Sequence, residues 1–236
     1  MKKTLSAIRR ACEEYKMIEK DEIVCVGVSG GKDSMLLLKA LNMYKNFATE
    51  PFKIKAICLD MGFGNINFDV LKKYCEELDV ELIIEPSQIA QIVFEERAEK
   101  NPCALCANLR RGALHNIAIR EGSRKLALGH HADDLMETFL MSILYEGRVN
   151  TFKAKTYLDR KDITVIRPMI YLKEKDVIYT VNRLNIPVIK SPCPVDKKTK
   201  REDMKDLIKY FSRTIPDSEK RIFRASKGYM DLQERL

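Results

Sequence analysis

The chain is 236 residues long, 45% hydrophobic and 32% charged, and its 42 Lys and Arg exceed its 34 Asp and Glu by 8. Those proportions suit a soluble globular protein with one large α/β domain and small helical additions, and no apolar stretch approaches bilayer length. Seven cysteines, an odd number in a chain able to build its own core, argue against a disulfide framework and leave thiols for metal binding or nucleophilic chemistry.

Met1-Lys2-Lys3-Thr4 is followed by no apolar leader segment, so a cytoplasmic location with no membrane partner is expected. The basic balance favours a polyanionic partner. In chain order, Leu5, Ile8, Cys12, Tyr15 and Ile18 recur at helical spacing and predict a helix over 3–19. Strand one is expected at 22–28 and its helix at 34–47. Residues 52–60 alternate and then turn apolar, a second strand ending on Asp60. A turn with Gly62 and Gly64 leads to a helix over 67–78, strand three over 80–84, and a helix near 87–99. Beyond it come a long helix over 104–121, strand four over 125–129 and its helix over 132–146. Strand five is expected at 163–166, a helix at 173–184, a short extended piece at 187–189, and a charged helical tail from Lys197. Alternating strands and helices imply a parallel sheet with helices on both faces, whose ligands sit at the carboxyl ends of the strands. The expected division is an N-terminal helix at 1–21, the α/β domain at 22–190 and a C-terminal helical segment at 191–236.

The densest chemistry follows strand one. Ser29-Gly30-Gly31-Lys32-Asp33-Ser34 joins the apolar run Ile23-Val24-Cys25-Val26 to a helical stretch. Glycines let backbone N–H groups approach an anion, and the helix N-terminus adds partial positive charge. The loop is not a Walker A motif, because Asp33 follows Lys32 and the upstream glycine stands one residue too close. Asp33 is expected to serve a metal or pyrophosphate, with Mg2+ as the metal.

Cys103-Ala104-Leu105-Cys106 opens the long helix; such a pair alone is compatible with zinc, a redox disulfide or an iron–sulfur centre. Cys193 stands apart in Ser191-Pro192-Cys193-Pro194 and offers a third thiol. Three thiolates leave one iron of a four-iron cluster open to an outside ligand. Gly129-His130-His131-Ala132-Asp133-Asp134 falls at a strand end. Its carboxylates are candidates for Mg2+ or the nucleotide, or Asp133 is a helix cap and the histidines fill space. Arg110 and Arg111 stand about one turn beyond the cysteine pair. Lys197, Lys198, Lys200 and Arg201 form a basic run that either binds a polyanion or is a solvated helix face. Cys12, Cys25, Cys58 and Cys75 lie in apolar periodic positions and are expected to pack in the core.

Ser29–Ser34 resembles the PP-loop of enzymes that cleave ATP between the α and β phosphates. Together with Cys103–Cys106 running into Leu109-Arg110-Arg111-Gly112, then Gly129-His130-His131 with Asp133-Asp134, Ile166-Arg167-Pro168, Lys173-Glu174-Lys175-Asp176 and Cys193, the chain is similar to the bacterial tRNA 2-thiocytidine synthetases of the TtcA type. The resemblance runs from about Ile18 to about Lys209. It implies ATP on Ser29, Gly30, Gly31, Lys32, Asp33 and Ser34, with the adenine near Cys58–Asp60 and Gly129, His130, Asp133 and Asp134 close by. It implies an oxygen-sensitive 4Fe-4S cluster on Cys103, Cys106 and Cys193, and makes these thiols with Lys32 and Asp33 the catalytic set. It implies a tRNA substrate, held by Arg110, Arg111 and the 197–201 run, whose cytidine 32 is adenylated on its C2 oxygen and thiolated with release of AMP and pyrophosphate. A sulfur donor such as sulfide or a cysteine desulfurase, and a homodimer, belong to the same expectation. The chain departs from the pattern at Asp196, where many members carry a further cysteine, and it lacks their terminal extensions. Three other functions remain compatible with these residues. One is sulfur transfer on or off a free nucleobase or other small molecule. The second is a C–N-bond-forming ligase with structural zinc, and the third a non-enzymatic nucleotide- or tRNA-binding module.

Overall fold

A computed structural model describes residues 1–64, 66–97, 102–195 and 200–235, the side chain of residue 235 excepted. Six strands form one sheet in the order β3-β2-β1-β4-β6-β5. They are β1 (Ile23–Gly27), β2 (Lys53–Asp60), β3 (Glu81–Pro86), β4 (Lys125–Ala127), β5 (Lys155–Leu158) and β6 (Ile163–Ile166). All pairings are parallel except β5 with β6. The expected parallel sheet is thus mixed at one edge. The antiparallel strand β5 was not foreseen: Lys155-Thr156-Tyr157-Leu158 is too short and too polar to show a period.

Side chains alternate across the sheet as strand geometry requires. Val24, Val26, Ala56, Ala127 and Ile166 face one core, shared with α1 (Lys2–Glu14), α2 (Lys32–Tyr44), α3 (Asp69–Glu77) and α7 (Glu174–Arg183). Cys25, Ile57, Leu126 and Val165 face the other, closed by Leu114, Ile117 and Ala118 of α5 (Pro102–Arg120). The helix expected near 87–99 is a single turn, α4 (Ile89–Gln91), continued by a π-helical stretch, Ile92–Glu96. Residues 98–101 lie outside the described residues.

The terminal helices are built into the same fold. Ile8, Ala11 and Cys12 of α1 belong to the first core, as does Met230 of α9 (Ser218–Arg235). The expected tail is two helices, α8 (Lys200–Thr214) and α9, both packed on α6 (Ala132–Glu146). A polar clasp returns α9 to the start of the chain. The Tyr15 hydroxyl donates to Asp231 at 2.7 Å, and Lys227 pairs with Asp231 at 2.6 Å and with Glu14 at 3.1 Å. No described helix is long and apolar enough to cross a membrane.

Strand order reverses between β1 and β4. In an open α/β sheet the crevice at the carboxyl ends of two such strands is where ligands bind. Both the Ser29–Ser34 loop and Gly129–Asp134 open onto it.

Candidate nucleotide and thiol site

Gly31 is the N-cap of α2, extended at φ −72° and ψ 156°, and no side chain caps the helix. The amides of the first turn have no intrahelical partner in any α-helix, so here they stay available to an anion. The loop is braced by its own hydroxyls. Ser34 Oγ donates to the Gly31 carbonyl (3.0 Å) and accepts from the Ser29 amide (3.1 Å). Behind the first turn α2 is buried through Met35, Leu36, Leu37 and Leu38, which anchors the cradle in the core.

Two glycines make the loop possible. Gly30 has φ +78°, and a Cβ there would meet Ile189 Cβ at 2.8 Å. The Ile189 amide also donates to the Gly30 carbonyl at 2.9 Å, so the piece expected to be extended at 187–189 lies across the loop instead of joining the sheet. Gly129 lets the β4–α6 turn touch the cradle: a Cβ would stand 3.1 Å from the Asp33 carbonyl carbon and 3.2 Å from the Ser34 nitrogen. Gly30→Ala should therefore weaken ATP binding at least about tenfold and lower stability by about 1–3 kcal/mol, combining left-handed strain with a clash against the Ile189 side chain. Gly122→Ala shares the positive φ but meets nothing within 4 Å, so thermal unfolding of both variants separates strain from clash.

Lys32 Nζ sits between two carboxylates, Asp33 Oδ2 at 2.9 Å and Glu174 Oε1 at 3.0 Å. Burial opposes its charge, but Asp33 and then Glu174 outweigh burial and raise its pKa. The second oxygen of Asp33 is buried without a hydrogen-bond partner, and His131 Nε2 stands 3.6 Å from it. Asp133 and Asp134 are both engaged within the chain. The N-cap of α6 is His131, not Asp133. The Asp134 amide donates to His131 Nδ1 and the His131 amide donates to Asp134 Oδ2 at 2.9 Å, closing a capping box. Asp133 Oδ2 accepts from the Glu174 amide at 2.7 Å and so ties α7 to α6. His130 is pushed down to about 3 by burial and then by Arg167, hence neutral, with Nδ1 unpartnered and its ring 5.2 Å from that of Phe152.

Cys58 is 3% exposed in the core between β2 and the helices, and burial pushes its thiol up to about 12. Its side chain packs in the first core. Asp60 Oδ1 accepts from the Gly62 amide at 2.9 Å, shaping the turn after β2.

Cys12, Cys25, Cys58 and Cys75 are buried, whereas Cys103 is exposed and Cys106 and Cys193 are half-buried. Burial raises the Cys106 thiol, Arg110 opposes it, and the neighbouring Cys193 and Cys103 thiols raise it further. The fold thus places Cys193 within electrostatic range of Cys106. Among the described residues, no three His, Cys, Asp or Glu side chains stand at metal-holding spacing.

The basic residues divide. Arg110 and Arg111 are exposed on α5, and Arg111 Nε donates to the Ala107 carbonyl at 3.1 Å. Lys200 Nζ lies 4.5 Å from the Tyr145 ring centroid. Arg201, expected on the polyanion, turns inward and binds Asp134 Oδ1 at 2.8 Å and Glu137 Oε2 at 3.2 Å. The half-buried Asp134 carboxylate beside Glu137 needs a counter-charge, and that requirement takes Arg201 out of the surface run. Lys197 and Lys198 lie outside the described residues, as does Asp196.

Three participants went unrecognised as site residues in the sequence: Glu174, Glu137 and Arg167. Arg167 and Glu174 lay in two of the segments that carry the resemblance, and Glu174 is also the acidic first residue of α7; Glu137 carried no signal. Glu137 is 1% exposed with Oε1 unpartnered, and burial, then Asp134, push it up to about 8. Arg167 donates to the Lys153 carbonyl at 2.6 Å and lies over the Phe152 ring.

Residues 3–209 match the model of the PP-loop domain family. The tRNA-cytidine(32) 2-sulfurtransferase of Pelobacter propionicus is 35% identical over 213 residues, 89% of this chain and 79% of that protein. Its counterpart in Dichelobacter nodosus is 36% identical over 220 residues, covering 92% and 82%. Among solved structures, the U34-tRNA thiolase NcsA from Methanococcus maripaludis with its 4Fe-4S cluster aligns at a TM-score of 0.81 and 26% identity, over 98% of this chain and 78% of that one.

Proposed function

The chain belongs to the PP-loop domain family, and from that premise we propose that it is an ATP-dependent tRNA thiolase acting on cytidine 32. The observation that carries the reading is the convergence, on one fold, of an uncapped phosphate cradle holding Lys32 with the half-buried thiols of Cys106 and Cys193 and the exposed Cys103. The relatives' shared activity and the cluster held by the structural neighbour support the same assignment. Residues 22–190 form the ATP-binding unit, with 1–21 as a helical addition and 191–236 as a helical segment that carries the third thiol, Cys193.

In the adenylation step the C2 oxygen of the base bonds to the α-phosphorus of ATP while the α–β bond breaks and pyrophosphate leaves. A sulfide-level sulfur from the donor then displaces AMP at C2. The first-turn amides of α2 and the Lys32 ammonium face the negative charge that develops on the departing pyrophosphate. Asp33 Oδ1, buried and unpartnered, fits a Mg2+ ligand there. Ser29 and Ser34 keep the loop open, and Gly129 holds the β4–α6 turn against it. Cys103, Cys106 and Cys193 fit a 4Fe-4S cluster by donor type and by their reach to solvent, and when bound it would supply sulfur-handling chemistry at the thiol end of the site. Arg110, Arg111 and Lys200 are left to contact tRNA phosphates. The target base must leave its stack, which costs little in an anticodon loop.

Cluster-loaded protein given ATP, sulfide and unmodified tRNA should yield 2-thiocytidine at position 32 together with AMP. AMP formation independent of tRNA, with no thiolated cytidine, would replace this reading with a small-molecule substrate. Thiouridine at position 34 would move the chain to the chemistry of its structural neighbour.

A further inference from the structure

Glu174 sits between two ammonium groups from opposite ends of the chain. Its Oε1 is 3.0 Å from Lys32 Nζ in the cradle and 3.3 Å from Lys205 Nζ on α8. Its own position is fixed, because its amide is held by Asp133. All three side chains are partly buried, with exposures of 30% for Lys32, 23% for Glu174 and 25% for Lys205. Lys205 also approaches Glu202 at 3.6 Å, and Glu137 and Glu174 support its charge. A cleft of about 310 Å³, lined by Asp133, Glu137, Glu174, Lys205 and Glu219, leaves room for the Lys205 side chain to shift.

We propose that Glu174 competes with the ATP phosphates for Lys32, and that Lys205 is the positioning residue that takes over Glu174 when Lys32 turns to the nucleotide. The inference rests on the reading that Lys32 binds ATP. Its physical basis is the cost of leaving a half-buried carboxylate unpaired. If Lys32 left Glu174 with no substitute cation, that cost would be subtracted from ATP affinity. Lys205 already shares the same oxygen, so the exchange proceeds without an orphaned charge. By this route α8, in the C-terminal segment, sets how readily the cradle loads. A purely structural ion cluster would instead lose stability and activity together whichever member is removed.

The test is ATP affinity and the rate of AMP formation in the full-length, cluster-loaded protein with tRNA present. Lys205→Met should raise the dissociation constant for ATP by about tenfold with little change in the maximal rate. Glu174→Gln, which keeps the amide bond to Asp133, should tighten ATP binding by a similar factor. The double variant should behave like Glu174→Gln, and Lys205→Arg should restore wild-type affinity. Weaker binding in Glu174→Gln, unchanged binding in Lys205→Met, or a double variant as weak as Lys205→Met would each overturn the exchange. Lys32→Met is the separate reference: unaltered ATP affinity there would refute the underlying placement of ATP.

Discussion

Lys32→Ala is expected to reduce AMP formation by on the order of 10²–10³-fold while the protein stays folded. The side chain contributes no core packing; it is 30% exposed and its polar contacts are to Asp33 and Glu174. Removing it takes away the side-chain cation that the Ser29–Ser34 loop supplies. It also leaves Asp33 facing the space that the phosphates must enter, while Glu174 keeps Lys205, so one uncompensated negative charge is added to one lost positive charge. Loss of ATP affinity and loss of rate should therefore appear together. Chromatographic assay of AMP with tRNA present measures the effect, and a thermal midpoint close to wild type shows that the fold is intact. A variant that made AMP at the normal rate would remove Lys32 from the site. ADP as the product would refute cleavage between the α and β phosphates.

Much of this architecture was legible because the relevant signals are local. The run Ile23–Val26 feeding two glycines and an apolar helix specifies strand, turn and helix within a single stretch, and the structure returns that order. Core thiols were equally readable, since Cys12, Cys25, Cys58 and Cys75 follow the apolar period. What stayed hidden depends on tertiary placement. Glu174 reaches Lys32 only because β6 lies beside β4, and that adjacency has no local trace. Arg201 reads as one more charge in a basic run until Asp134 and the buried Glu137 are seen to need it. The segment 187–189 has the composition of a strand, but its register is taken by the Gly30 carbonyl and not by a neighbouring strand. His131 as the cap of α6 was missed because Asp133 is the more usual residue type for that role.

Replacing any one of Cys103, Cys106 or Cys193 by alanine should abolish bound iron and tRNA thiolation together, with ATP binding kept. The three come from distant positions, yet both other thiols act on the pKa of Cys106, and one shared cluster is the proposed reason for their grouping. A cluster needs its thiolates to be solvent-reachable for assembly. These three meet that condition and the four buried cysteines do not. Two remaining thiols hold a four-iron centre poorly, so the loss should be all-or-none and not graded. The nucleotide end is built by α2 and the β4–α6 turn, which contain none of these cysteines, so ATP affinity gives an internal check on folding. Cys75→Ala, at 1% exposure, is the matching control and should keep its iron. The measurement is iron and acid-labile sulfide per chain, prepared without oxygen, beside 2-thiocytidine in tRNA. Stripping the metal from the wild-type protein should likewise abolish thiolation with ATP binding kept, and reconstitution with iron and sulfide should reverse the loss only when all three thiols are present. Full iron and activity in Cys193→Ala would take that residue out of the site. Zinc in place of iron, with thiolation absent, would assign the cysteines a structural role and the cradle to a bond-forming ligase.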